Sequence, residues 1–183
     1  MRRYWFPKRY ADTVARMRVP GGFLLVAAFA WLSQPSAASL AAGLPVAVLG
    51  LALRAWAAGH LAKNERLATS GPYAHLRNPL YLGTLIVAAG LALAAQSWLL
   101  AALFAAVFGL IYLPVIELEE QHLRKLFPEY EAYASRVPLL WPRLRAGGSK
   151  AGFQLRLYRK NEEYQAALGF LAGAAWLLWK ALG

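Results

Sequence analysis

Apolar residues fall along this chain in long runs separated by short polar stretches, a spacing that suits membrane helices better than strands. A helix needs about 20 predominantly apolar residues to cross the hydrocarbon core of a bilayer. The runs place membrane segments at residues 19–33, 37–58, 80–95 and 98–116. A last run, residues 166–182, reads either as a fifth span or as a helix packed at the membrane surface. Gln34-Pro35-Ser36 and Gln96-Ser97 are tight turns. After the fourth run, Leu118, Leu123, Leu126 and Phe127 recur at roughly helical spacing between charges. Pro128 kinks or restarts that helix, and Tyr130 and Tyr133 carry its apolar face on to Val137-Pro138. The expected fold is all-α: a multi-pass transmembrane bundle of four to five membrane helices, built from two hairpins.

Charge orients the bundle. Residues 1–18 hold six basic residues and one acid, residues 59–79 three and one, and residues 117–164 nine and seven. The turns at 34–36 and 96–97 carry none. Because Lys and Arg mark cytoplasmic loops, the N-terminus and both longer polar stretches are expected in the cytoplasm, with the two turns outside. If the chain is bacterial, the membrane is the plasma or inner membrane. Trp5, Trp31, Trp98, Trp141 and Trp176 fall near expected helix ends, where interfacial aromatics belong. Ala146-Gly147-Gly148-Ser149 is a linker signal. The organisation expected is therefore a basic N-terminal segment 1–18, a membrane core 19–145, and a linker with a C-terminal apolar helix, 146–183.

Composition agrees. Of 183 residues, 59% are hydrophobic and 16% charged, against about 25% charged in globular domains. A chain this small cannot bury so much apolar surface within itself. The net charge of +11 would suit nucleic acid or an anionic membrane; basic residues flanking apolar runs favour the membrane, and no nucleic-acid partner is expected. The absence of cysteine excludes disulfides, thiolate chemistry and Cys-ligated metals. No cleavable signal peptide is expected, since the first apolar run starts behind a long basic stretch. His60, His75 and His122 lack metal-ligand spacing, so no metal site is expected. Neither a soluble-type G-x-G-x-x-G nor a P-loop is present.

Three polar constellations remain. The first is His60, Asn64-Glu65, Thr69-Ser70-Gly71-Pro72-Tyr73 and Arg77-Asn78-Pro79. Pro79 suits the first turn of a helix, whose free N–H groups attract anions. Arg77 beside them would add a bidentate clamp. The plain alternative is a topology anchor at Arg77 and a helix cap at Asn78. The second is Glu117, Glu119 and Glu120, able to attract a sulfonium or amine or to accept from ribose hydroxyls. The plain alternative is a solvated acidic face with Glu120 paired to Arg124. The third is Arg54 inside the second apolar run. It either snorkels to the interface or marks a functional site with a glutamate as its partner.

At these residues the chain resembles the isoprenylcysteine carboxyl methyltransferase family and its relatives, the phospholipid N-methyltransferases. The matching positions are Asn64-Glu65, Leu67, Thr69-Ser70-Gly71, Tyr73, Arg77-Asn78-Pro79, Tyr81 and Gly83, then Glu119-Glu120, Leu123, Phe127, Glu129-Tyr130, Tyr133 and Val137-Pro138. They span about residues 54–142 in order and in spacing. The resemblance implies a membrane-embedded methyltransferase that uses S-adenosylmethionine in a cytoplasm-facing pocket. It implies Tyr73, Arg77, Asn78, Tyr81, Gly83, Glu119 and Glu120 as cofactor-binding residues, with Leu140 and Trp141 closing over the adenine. The acceptor would be a lipid or other amphiphile entering from the bilayer, with Arg54 holding an acceptor carboxylate or Glu120 orienting an acceptor amine. Two departures stand out: Asn78 replaces the family histidine and cannot titrate, and Pro128 replaces a glycine. Residues 146–183 have no counterpart in that pattern. Two other classes compete with this one: an NADPH-dependent membrane reductase of the sterol-reductase type, and a non-catalytic lipid-binding protein.

Overall fold

The computed structural model describes residues 5–143 and 151–183, and the linker expected at 146–149 lies outside them. Among the described residues every regular element is helical: α1 (Lys8–Leu32), α2 (Ala37–Ala58), α3 (Pro79–Ala95), α4 (Trp98–Val107), α5 (Leu113–Leu126), α6 (Tyr130–Ala134), α7 (Leu155–Lys160) and α8 (Tyr164–Leu182). A 3-10 turn, Gly71–Ala74, precedes α3, and a π turn, Phe108–Tyr112, joins α4 to α5 without a break. The protein is thus an all-α membrane type. α2, the run Trp98–Leu126 and α8 are long and apolar enough to cross a membrane. α1 makes a fourth if its two halves, bent by 54°, count as one span.

Two differences from the hydropathy reading have local causes. α1 begins at Lys8 rather than near Val19, because a basic stretch can be helical without showing an apolar stripe. Pro20 cannot donate an N–H to the preceding turn, and the helix bends just before it, between Met17 and Val19. α3 is only 17 residues long. Pro79 opens it and Gln96, at φ 50, ends it in the left-handed region. Counted by length, the four to five spans expected become three or four.

The chain divides into two compact units. The first comprises Met1–Ala47, Ala88–His122 and Gly173–Gly183. Its buried cluster is Phe29, Leu40, Ala94, Ala95, Leu100 and Leu177. Both tight turns appear where expected and meet: Gln34 donates its N–H to the Ala95 carbonyl at 2.7 Å, and the Ser39 hydroxyl donates to that of Ala94 at 2.8 Å. Ser36 and Ser39 exchange backbone-to-hydroxyl bonds at 2.9 and 3.2 Å, a reciprocal cap that starts α2. Lys180 donates to the Ser33 and Ala30 carbonyls at 2.6 and 3.2 Å, satisfying the C-terminal end of α1. Pro114 has no N–H to offer the Leu110 carbonyl, which accepts the Tyr10 hydroxyl at 2.7 Å instead.

The second unit comprises Val48–Val87 and Leu123–Ala172. Its buried cluster is Phe127, Tyr130 and Tyr133, packed by Leu67, Leu123 and Val137. This is the amphipathic face that the sequence spacing predicts, interrupted at Pro128 as expected.

α2 and α3 touch at backbone distance. In the first unit a Cβ on Gly90 would lie 2.7 Å from the Gly43 carbonyl, and in the second a Cβ on Gly50 would lie 2.7 Å from that of Gly83. The positions in contact are 43, 47, 50 and 54 on α2 and 83, 87, 90 and 94 on α3. Small residues at such spacing let helices associate by van der Waals contact where lipid offers no hydrophobic drive.

Candidate functional site

The polar stretch between α2 and α3 is built by turns that require its residue types. Asn64 sits at φ 61 and Gly71 at φ 56. Asparagine enters the left-handed region more readily than other side chains. At Gly71 a Cβ would meet the His60 ring within 2.6 Å, so only glycine fits. His60 is buried, its Nδ1 lying 2.9 Å from the Ser70 hydroxyl. Burial, reinforced by Arg66, pushes its imidazole below the ordinary range. Sequence inspection missed this pair, although both residues lay in the constellation singled out.

From there the chain runs beside the segment that follows α6. Tyr133 donates its hydroxyl to the Tyr73 carbonyl at 2.7 Å. The Arg77 N–H donates to the Pro138 carbonyl at 2.9 Å, and the Asn78 amide nitrogen reaches the Leu139 carbonyl at 3.4 Å. The Arg143 N–H donates to the His75 carbonyl at 2.9 Å, while the Arg143 carbonyl lies 2.7 Å from Nδ1 of His75. Residues 73–78 and 133–143 are therefore laced together, and α3 starts from that lacing with Pro79 buried. Tyr73 is buried; Arg77, Asn78, Tyr81 and Leu140 are half-buried. Trp141 is 83% exposed. The structure thus brings Arg77 and Asn78 together with the backbone of Pro138 and Leu139, and Tyr73 together with Tyr133.

Gly83 has a packing task. A Cβ there would lie 2.5 Å from Cγ of Arg54 and 2.9 Å from the Gly50 carbonyl. Arg54 has the glutamate partner that its position suggested, and it is Glu163. Nε and Nη2 donate to the two carboxylate oxygens at 2.5 and 3.0 Å. Nη1 donates to the Thr84 hydroxyl and to the Leu80 carbonyl, the latter at 3.3 Å. Glu163 closes a charged stretch, residues 156–163. The readable signal was an acid placed just before an apolar helix.

The three glutamates of α5 have separate environments. The Glu117 carboxylate is buried and accepts the backbone N–H groups of Trp5 and Phe6 at 2.5 and 3.0 Å. Glu120 is buried and Glu119 is exposed. In the second unit Arg124 pairs with Glu131 and lies over the Tyr130 ring, 5.3 Å from its centroid.

Arg77, a guanidinium just before the N-terminus of α3, suits the carboxylate of an amino-acid-bearing cofactor. Among the described residues, no three His, Asp or Glu side chains converge as metal ligands.

A family model described as phospholipid methyltransferase matches residues 21–130. The chain is 34% identical over 149 residues to the nickel-cobalt-cadmium resistance protein NccN of Alcaligenes xylosoxydans xylosoxydans, covering 78% of this chain and 65% of that protein. It is 39% identical over 107 residues to the cobalt-zinc-cadmium resistance protein CzcN of Cupriavidus metallidurans, covering 55% of this chain and 50% of that one. Both matches span less than two thirds of the relative's length. No solved structure matches the chain.

Proposed function

The chain belongs to the phospholipid methyltransferase family, and from that premise we propose that it transfers a methyl group from S-adenosylmethionine to a lipid or other hydrophobic acceptor at the cytoplasmic face of the membrane. The observation that carries the reading is the lacing of residues 73–78 to residues 133–143, which fixes Arg77 at the start of α3. Arg77 and the first N–H groups of α3 would hold the cofactor's carboxylate. Asn78, Tyr73 and Tyr81 would line the same pocket, with Leu140 and Trp141 towards the adenine. The family resemblance also assigns Glu119 and Glu120 to cofactor binding. The cofactor, when bound, supplies an electrophilic methyl group.

Methyl transfer is an in-line displacement that asks little of acid–base groups, so positioning and exclusion of water carry most of the rate. Asn78 fits that demand, since it offers hydrogen bonds without a titrating proton. Lipid-exposed α2 and α8 would give the acceptor its route from the bilayer.

The names of the two relatives point to a physiological setting of metal tolerance. In the proposed reading the contribution of this chain is modification of a membrane component, not capture of the metal.

The test is calorimetric titration of S-adenosylhomocysteine into detergent-purified protein, with Arg77→Ala and Glu120→Ala alongside. Saturable binding that both variants lose supports the reading. Folded wild-type protein that binds NADPH and not S-adenosylhomocysteine sinks it in favour of a reductase. Folded protein that binds neither also sinks it and favours a non-catalytic role.

A further inference from the structure

Arg54 lies one turn before the end of α2, its stem packed over Gly83. A guanidinium grips a carboxylate through two parallel N–H groups, side-on by Nε and Nη2 or end-on by its two Nη groups. In Arg54 the side-on edge, Nε and Nη2, is taken by the Glu163 carboxylate at 2.5 and 3.0 Å. Nη1 is turned to Thr84 and Leu80. The Glu163 side chain is 8% exposed and that of Arg54 23%.

Several attachments hold Glu163 in place. Gln154 donates its N–H to the Gly59 carbonyl at 2.9 Å, and the Phe153 ring packs on Gly59. Asn161 donates to the Ala58 and Leu61 carbonyls at 2.9 and 2.8 Å, closing the end of α2. Lys160 pairs with Glu65, whose carboxyl it holds below the usual carboxylate range. The backbone then turns through Glu162 at φ 53, and α8 begins at Tyr164. All of these contacts come from residues beyond the 21–130 stretch that matches the family.

We propose that Glu163 is a specificity-determining residue: its carboxylate fills the side-on edge of Arg54 and so excludes acceptors that carry a carboxylate. The inference rests on the lipid methyltransferase reading. A tethered carboxylate competes at a far higher effective concentration than a free one. An incoming carboxylate would also leave Glu163 buried without its cation, which is strongly unfavourable. Neutral or amine-bearing acceptors meet neither obstacle. The role earlier suggested for Arg54, holding an acceptor's carboxylate, is thereby taken by a residue of the chain itself.

Two probes separate the cases: a farnesyl thioether ending in a carboxylate, and the same thioether ending in a primary amide. Each is titrated into the full chain in detergent. Wild-type protein is expected to bind the two within about threefold of each other. Glu163→Ala is expected to bind the carboxylate at least about tenfold tighter than the amide, and Arg54→Gln combined with it to lose that preference. Glu163→Ser, whose side chain is too short to fill that edge, serves where Glu163→Ala does not fold. A tenfold carboxylate preference in wild-type protein that Arg54→Gln abolishes overturns the proposal, and that arm needs no change at position 163. So does a folded position-163 variant without the preference. Neither titration uses the cofactor, so failure here is distinct from failure to bind S-adenosylhomocysteine.

Discussion

Tyr133 reaches across the second unit to donate its hydroxyl to the backbone carbonyl of Tyr73 at 2.7 Å, both residues being buried. A side chain in α6 thus holds the turn that leads into Arg77. Tyr133→Phe keeps the ring and removes the donor, so the buried Tyr73 carbonyl loses the hydrogen bond from α6. The expected loss is about 1–3 kcal/mol of stability, read as a lowered thermal midpoint in detergent. Affinity for S-adenosylhomocysteine should fall in the same variant, since Arg77 follows Tyr73 closely. An unchanged midpoint and affinity would remove Tyr133 from the support of the site.

The close approach of α2 and α3 makes a second prediction. Gly50→Ala puts a Cβ 2.7 Å from the Gly83 carbonyl, with Val87 also in the way. Overpacking of this kind costs about 1–3 kcal/mol. Gly169→Ala in α8 meets nothing within 4 Å, and by helix propensity it gains up to about 1 kcal/mol. Thermal unfolding of the two variants should therefore move in opposite directions.

His60 supplies a pH dependence. Burial, with Arg66 second, lowers its folded pKa from the ordinary value of 6.5. Below that value the unfolded chain takes up a proton that the folded chain resists, so stability rises with pH through this window. The contribution is fully present above pH 6.5 and is lost as pH falls through the lowered folded value. Comparing unfolding at mildly acid and neutral pH should show the slope, and His60→Gln should flatten it. An equal slope in the variant would assign the dependence to other groups.

Lys180 tests the anchoring of α8. Its ammonium serves carbonyls at the C-terminal end of α1, where a positive charge also complements the negative end of the helix dipole. Lys180→Met keeps the length and apolar stem but not the charge. The expected loss is about 1 kcal/mol, and limited proteolysis should find residues 164–183 easier to cleave. A resistant C-terminus would mean that apolar packing alone holds α8.

Much of the fold was readable because lipid demands long apolar runs, and these end at turns such as Gln34-Pro35-Ser36 and Gln96-Ser97. The face formed by Leu123, Phe127, Tyr130 and Tyr133 was readable for a similar reason, since helical spacing is a local property. The early start of α1 was not, because Arg9 and Arg16 sit on helical backbone without leaving an apolar stripe. The spacing of Gly43, Gly50, Gly83 and Gly90 marks the close approach of α2 and α3, and at Gly83 the nearest neighbours are Arg54 and Gly50. Glu163 was out of reach for another reason: it pairs with Arg54 across 109 positions of chain. Which acid meets which base over that distance is decided by packing, and no periodicity records it.

The π turn Phe108–Tyr112 has a geometric consequence for the acids beyond it. A wider turn accommodates one residue more than the α-helical ladder would over the same rise, and each residue of an α-helix advances the side chains by about 100°. Phe108–Tyr112 therefore works as a phase shifter between α4 and α5, setting the direction in which Glu117 points at the backbone of Trp5 and Phe6. Deleting one residue from it would leave every side chain of α5 chemically intact and aim all of them elsewhere. At this point in the chain the number of residues, as much as their identity, carries the information.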